Sequence, residues 1–155
     1  DLLGALCVSR RARERVLGAL ATQGGAVNAA AGISALMGSA SVDAALRSGR
    51  GRFRKVQLPD VGPWVFGGPE EDVPASVKLA KADLGFVDAF ISHSGRDLPA
   101  HKWAALCAWR DRFVRDQGRE PTLWIDRLCI DPERASEDIA NLPVFIAGCD
   151  RMVCL

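Results

Sequence analysis

The 155-residue sequence predicts an α/β domain with a parallel sheet, preceded by a mainly helical segment. After residue 85, three short apolar runs rich in aromatic and β-branched residues are typical of strands. Two stretches with helical spacing of apolar residues separate these runs. Strands that alternate with helices favour parallel pairing, because the chain must cross back over the sheet between one strand and the next. The content of 48% hydrophobic and 25% charged residues is typical of a globular domain.

Residues 1–57 form the predicted helical segment, which is basic and rich in Ala, Gly, Leu and Arg. Apolar residues in Val16–Leu20 have the spacing of an amphipathic helix, and the Gly24–Gly25 pair interrupts it because glycine weakens helix interiors. The residues before Asp60 carry a net charge of +6, and the remainder carries −5. The run Arg47–Lys55 is expected to be a solvated linker rather than a specific nucleic-acid site, since it contains a single aromatic residue.

Residues 58–85 are predicted to be an irregular connection, because proline and glycine recur in its first half and favour turns. Trp64–Phe66 provides one apolar anchor within this connection. Val77–Leu84 is expected to form a short helix that leads into the first strand. Residues 86–155 then make up the predicted α/β domain.

The elements of this α/β domain follow from local patterns. We predict strands at Phe86–Ile91, Thr122–Ile125 and Arg151–Leu155. Helices are predicted at Leu98–Gln117 and Ser136–Gly148, and a polar loop at Asp126–Ala135. Asp97 is expected to cap the first helix, and Gly118 is expected to end it. Because Pro143 lacks a backbone N–H, the second helix is alternatively expected to start near Asn141.

The cysteines and the hydropathy pattern bear on the cellular compartment. Five scattered cysteines, an odd number, favour free thiols in a reducing compartment over a disulfide framework. No apolar run approaches the length of about 18 residues that a membrane span needs. We therefore expect a cytoplasmic location and no membrane span in this segment. The spacings of His93 from His101 and of Cys149 from Cys154 are not those of zinc ligands, so no metal site is expected.

The run Val87–Ser94, Val-Asp-Ala-Phe-Ile-Ser-His-Ser, resembles the first strand of Toll/interleukin-1 receptor (TIR) domains. The similarity continues in order through Trp103, the strand Leu123–Asp126 and the acidic loop after it. The stretch Trp124–Asp131 is also similar to fungal heterokaryon-incompatibility domains, which are relatives of TIR domains. Together these likenesses cover residues 86–155.

The resemblance implies a flavodoxin-like parallel sheet that is truncated after its third strand. It also implies an intracellular module of signalling or innate-immune defence. In its intact form such a module is a hydrolase that cleaves NAD as its substrate, and no bound cofactor is expected. The catalytic glutamate of such enzymes lies on the helix after the third strand, beyond Leu155, so this fragment is expected to be inactive. The alternative is a non-catalytic module that associates with itself or with other TIR-like domains through the loop that contains Cys129, Asp131 and Glu133.

Polar side chains follow the first two predicted strands of the α/β domain. Because ligands of an open parallel sheet bind beyond the carboxyl ends of its strands, these side chains are candidates for binding a nucleotide such as NAD. Hydroxyl, imidazole and guanidinium groups suit a ribose and a pyrophosphate. The candidate residues are Ser92, His93, Ser94, Arg96, Asp126 and Arg127.

Structural roles are the alternative for several of these residues. Ser92 and Ser94 would then only satisfy loop backbone groups, and Arg96 would pair with the neighbouring aspartate. Asp88 is expected to support a neighbouring helix or loop rather than to act in catalysis. Cys129 is either redox-sensitive in a mobile loop or a small apolar filler.

Overall fold

A computed structural model of the protein describes residues 24–37, 41–67 and 73–155. The strands in these ranges are β1 (Arg54–Gln57), β2 (Ala80–Lys81), β3 (Val87–Ser92), β4 (Thr122–Ile125) and β5 (Cys149–Cys154). The helices are α1 (Gly24–Met37), α2 (Val42–Arg52), α3 (Pro99–Gln117), α4 (Asp126–Cys129), α5 (Ala135–Ala140) and α6 (Leu142–Ala147). Short 3-10 turns occur at Leu58–Asp60, Pro63–Phe66 and Pro132–Arg134.

The five strands form one sheet in the order β2-β1-β4-β3-β5. β3 lies between β4 and β5 and pairs in parallel with both, so that Ala89 is opposite Leu123 on one side and Arg151 on the other. β1 pairs in antiparallel orientation with β4 and with β2. The predicted α/β class and the parallel pairing of the three strands after residue 85 are confirmed. β1 and β2 extend this sheet by two antiparallel strands that were not predicted.

The core of the protein forms around β3 and β4. Val87–Ile91 is buried along its whole length, as is typical of a strand with both faces covered, and Leu123–Ile125 is equally buried. Trp124 stacks on Phe90 with ring centroids 4.6 Å apart, and its ring lies 5.5 Å from that of Phe145 in α6. These three aromatic rings therefore join β3, β4 and α6.

The crossover helix α3 ends where predicted and begins one residue later than predicted, and its cap residue differs from the prediction. Pro99 lies in its first turn, where the missing N–H removes no helical hydrogen bond. Gly118 ends the helix in the left-handed conformation, with φ of 69°, as predicted. The expected cap by Asp97 is wrong, because Leu98 occupies the cap position and no side chain caps the helix.

Residues 126–135 form α4 and the 3-10 turn Pro132–Arg134, although their polarity predicts a loop. Asp138 accounts for much of this order, since its buried carboxylate accepts hydrogen bonds from two directions. The donors are the backbone N–H of Asp131 at 2.8 Å and Nε of Arg52 at 2.5 Å. Asp138 thereby connects α5 to α2 and to the chain that follows α4.

The expected helix Ser136–Gly148 is divided into α5 and α6, which meet at Asn141. Pro143 lies in the first turn of α6, where a proline is tolerated. The alternative start near Asn141 is therefore correct, and the single long helix is wrong. The helix is divided for the predicted reason, since Pro143 within a continuous helix would remove a backbone hydrogen bond.

The chain before β3 is more ordered than its composition indicates. Arg47–Lys55, expected to be a solvated linker, forms the last part of α2 and the start of β1. Val56 is the buried residue of β1 and lies opposite Leu123 of β4. Val77–Leu84 does not form the expected helix and instead contains β2. In both cases pairing with distant strands determines a structure that local composition does not predict.

One hydrophobic core combines residues from before and after residue 86. The buried residues contributed by the earlier segment are Phe53, Val56, Leu58, Val61, Val65, Phe66 and Ala82. They belong to the same cluster as the buried residues of β3 and β4. The amphipathic helix predicted at Val16–Leu20 lies outside the described residues. The boundaries proposed at residues 57 and 85 stay predictions.

Asp88 connects the start of β3 to the chain that follows α3. Its carboxylate accepts hydrogen bonds from Nη1 and Nη2 of Arg119 at 2.8 and 2.6 Å. It also accepts the backbone N–H and the hydroxyl of Thr122, at 2.8 and 2.9 Å. Burial by itself would raise the pKa of Asp88, but these hydrogen bonds outweigh burial and hold the pKa below its usual value. The expected structural role of Asp88 is confirmed.

Asp88 should make the free energy of unfolding depend on pH in acid. A carboxyl group with a lowered pKa in the folded state stabilises the fold above its unfolded pKa of about 3.9, and this contribution disappears as the pH falls through the folded value. Asp88→Asn should therefore lose about 1–3 kcal/mol at neutral pH and show a flatter decline below about pH 4 than the wild type.

Urea denaturation at neutral pH and at about pH 3 measures both quantities for Asp88→Asn and the wild type. Asp43→Asn, on an exposed position of α2, is the matched control and should retain the wild-type decline. An equally steep decline in Asp88→Asn and in the wild type would contradict this account of Asp88.

Candidate functional site

A cavity of about 360 Å³ lies at the carboxyl ends of β3 and β4. It is formed by the chain after β3, by α4 with the turn that follows, and by the 3-10 turn Pro63–Phe66. Its lining residues are Val65, Phe66, His93, Asp126, Arg127, Ile130, Pro132 and Ala135. Small-molecule sites have volumes of about 300–1,000 Å³, so the cavity is large enough for a small organic ligand.

His93 and Asp126 contact each other within this cavity, one directly after β3 and the other at the start of α4. His93 Nε2 lies 3.2 Å from Asp126 Oδ1, and the same oxygen accepts the backbone N–H of Arg127 at 2.7 Å. An ionised carboxylate only accepts hydrogen bonds, so the imidazole donates from Nε2. The Asp126 side chain is 49% exposed, which leaves the carboxylate accessible to a ligand.

Phe66 and Lys102 form the structure next to His93. The Phe66 ring contacts the imidazole edge-on, with centroids 5.1 Å apart. Lys102 of α3 is only 3% exposed, and its Nζ donates to the carbonyl of Ser94 at 2.9 Å and to that of Phe66 at 3.4 Å. The same Nζ lies 5.6 Å from the centroid of the Phe66 ring, within cation–π range. Lys102 thus connects α3 to the two segments that flank His93.

Half of the six residues predicted to bind a nucleotide line the cavity. These three are His93, Asp126 and Arg127. Ser92 ends β3, and its carbonyl accepts the backbone N–H of Leu155 at 2.9 Å. Ser94 and Arg96 are exposed, and the Ser94 hydroxyl accepts the backbone N–H of Arg96 at 3.1 Å. Ser94 therefore satisfies a backbone group of its own loop, which is the alternative role that the sequence offered. Neither Ser94 nor Arg96 lines the cavity.

Sequence patterns did not single out the other residues of the site. Val65 and Phe66 belong to the predicted connection, where the apolar anchor Trp64–Phe66 was the available signal. Lys102 lies four residues before Leu106, on the buried face of α3. A lysine at an apolar position of a helix is the signal that could have identified Lys102.

The three residues predicted for partner contact differ in their exposure. Cys129 is 1% exposed and belongs to the core, where burial raises the pKa of its thiol to about 12. Asp131 is half-buried, accepts the backbone N–H of Glu133 at 3.1 Å and lies 3.6 Å from Arg54. Glu133 is exposed. The structure therefore favours the apolar-filler interpretation of Cys129 over that of a residue in a mobile loop.

A second cavity, of about 390 Å³, adjoins the first. Arg127, Ile130 and Pro132 line both cavities. Arg54 brings a second guanidinium group, and apolar residues that include Leu128 form much of the remaining wall. The two cavities thus meet at Arg127, and Arg54 lines the second cavity.

A metal site needs clustered ligand side chains, and a membrane span needs a long apolar helix. The described part of the chain contains no group of three or more His, Cys, Asp or Glu side chains placed to hold a metal ion. Within the described ranges, no helix is by itself both long and apolar enough to cross a membrane. α1 and α2 reach that length and composition only when taken together as a pair bent by 104°.

Comparisons with known proteins were made at the levels of family, sequence and structure. No family model matches the chain, and neither the curated proteins nor the solved structures include a match. Functional inference therefore depends on the geometry of the two cavities and on the resemblance carried by the residues of β3 and β4.

Cys129 should resist alkylation in the folded protein. Iodoacetamide reacts with the thiolate, and burial both limits access to Cys129 and raises the pKa of its thiol to about 12. We expect no modification of Cys129 at about pH 8 during the time in which exposed Cys154 is labelled. Peptide mass spectrometry measures both sites, and both should react in urea. Labelling of Cys129 as fast as Cys154 in native buffer would instead support the redox-sensitive alternative.

Proposed function

We propose that the chain is a TIR-like module that binds NAD in the cavity at the carboxyl ends of β3 and β4. The order of the parallel strands supports this proposal. β4, β3 and β5 are the second, first and third strands after residue 85, which is the strand order that begins flavodoxin-like sheets. The residues that resemble TIR domains, Val87–Ser94, form β3 and the start of the following loop.

The observation that carries the proposal is the meeting of His93, Asp126 and Arg127 at one cavity. A carboxylate such as that of Asp126 accepts hydrogen bonds from ribose hydroxyls. The guanidinium group of an arginine offers several donors to phosphate oxygens. Phe66 and Ile130 add apolar surface against which a ring can lie. Acidic, basic and apolar groups are thus present together, and they complement the ribose, the phosphates and the rings of a nucleotide.

The second cavity extends the same proposal from a nucleotide to a dinucleotide. NAD consists of two ring-bearing ribosides joined by a pyrophosphate. Two adjoining cavities could each take one half, with the pyrophosphate close to Arg127, which lines both. Arg54 would add positive charge on one side of the shared wall.

Catalysis in this proposal depends on a glutamate outside residues 1–155, as the TIR resemblance implies. Asp126 is the only carboxylate among the described residues that line the first cavity. Its Oδ1 already accepts hydrogen bonds from His93 and from the backbone of Arg127. The alternative, an interaction module that self-associates through Cys129, Asp131 and Glu133, has weaker support because one of these residues is in the core.

NAD should bind to the 155-residue chain, and Arg127→Gln should weaken binding. Loss of a charge-assisted hydrogen bond to phosphate corresponds to about 1.5–3 kcal/mol, or about 10-fold to 100-fold in the dissociation constant. Arg96→Gln is the matched control, since Arg96 is exposed and does not line the cavity. Isothermal titration calorimetry measures all three proteins. No binding by the wild type, or equal affinities for wild type and Arg127→Gln, would contradict the proposed site.

The chain by itself should release no nicotinamide from NAD. Cleavage of the glycosidic bond places positive charge on the ribose, and a carboxylate must be positioned to stabilise that charge. The TIR resemblance implies that this role belongs to a glutamate outside residues 1–155, so we expect no turnover by this chain. Chromatographic measurement of nicotinamide after prolonged incubation tests this. Turnover that Asp126→Ala abolishes would show that the catalytic acid is internal.

A further inference from the structure

We infer that Lys102 is a positioning residue of the first cavity, whose ammonium group holds Phe66 and the chain at Ser94 around His93. The inference deepens the proposed function and rests on it for the ligand used in the test. Phe66 and Ser94 are distant in sequence, and both flank His93 in space. Lys102 Nζ donates to the backbone carbonyls of both, so a single group spans the junction.

The neutral partners that the structure describes for this buried ammonium group indicate a role other than ion pairing. Lys102 is 3% exposed, and a buried charge disfavours folding unless it is compensated. The partners that the structure describes for Nζ are two carbonyl oxygens and the face of an aromatic ring. These neutral partners satisfy the donors without neutralising the charge. What the ammonium supplies is a fixed distance between α3 and the two segments that it contacts.

The wall of the cavity depends on this distance. Phe66 lines the cavity and packs against the His93 ring in a T-shaped contact, so a displaced Phe66 changes the surroundings of the imidazole. The neighbouring Gly67 is already close to the start of α3, because a Cβ there would lie 2.6 Å from Cγ of Pro99. The 3-10 turn thus lies directly against α3, and Lys102 provides the polar contacts between them.

Lys102→Met is the direct test, because methionine keeps an unbranched stem and removes the ammonium group. We expect NAD to bind about tenfold more weakly and the melting temperature to change by no more than about 4 °C. The ring protons of His93 should also shift in the NMR spectrum, since the Phe66 ring moves relative to them. His93 and His101 are the two histidines of the chain, so a His101→Gln background identifies the His93 signals.

Two control variants separate positioning from general stability. Arg112→Met removes an exposed basic side chain of α3 that lines neither cavity, and it should change neither NAD affinity nor the His93 signals. Phe113→Leu alters a buried residue of α3 away from the cavity lining. It should lower the melting temperature while leaving NAD affinity and the His93 signals as in the wild type. A second variant at the site, Lys102→Gln, keeps a neutral donor and should give values between those of Lys102→Met and the wild type.

Each outcome decides one of the two claims. Equal NAD affinity and unshifted His93 signals in Lys102→Met would overturn the positioning role. Failure of both Lys102→Met and Lys102→Gln to fold would also overturn it, because Lys102 would then be required for folding as a whole. If the wild type binds no NAD, the proposed function fails, and the positioning role of Lys102 is then tested by the His93 signals alone. A shift in Lys102→Met that is absent from Phe113→Leu then supports positioning, and no shift contradicts it.

Discussion

Burial of β3 is the constraint on which the rest of the structure depends. Val87, Ala89 and Ile91 are at most 1% exposed, so this strand needs a hydrogen-bonded neighbour on each edge and side chains over both faces. β4 and β5 supply the edges in parallel orientation, which requires crossovers through α3 and through α5 with α6. Parallel pairing then brings the carboxyl ends of β3 and β4 together. His93 and Asp126 meet there as a direct consequence.

The sequence predicted the elements whose signal is local. The apolar runs that form β3 and β4 and the helical periodicity of α3 identify these elements without any tertiary contact. The same patterns located the chain just beyond each strand, and three residues there, His93, Asp126 and Arg127, do line the cavity. Ser94 and Arg96 do not line the cavity, because adjacency in sequence does not fix the direction of a side chain and both residues are exposed after His93.

Features determined by contacts between distant segments could not be predicted. β1 has one buried residue in a basic run, and its pairing with β4 requires the folded position of Leu123. Phe66 reaches His93 from a stretch that composition classifies as irregular. Lys102 lies on the buried face of α3, and its hydrogen bonds to the carbonyl groups of Phe66 and Ser94 exist only in the folded chain. The cavity therefore combines locally encoded strand ends with a wall that tertiary structure supplies.

The central claim, that NAD occupies the cavity beyond β3 and β4, is tested most directly by mapping amide chemical shifts during an NAD titration. The account predicts the largest changes at Phe66, His93, Arg127 and Ile130, which line that cavity. Changes confined to the polar cavity lined by Arg50, Gly51, Lys81, Asp83 and Leu84 would contradict it. An unchanged spectrum at saturating NAD would contradict it equally.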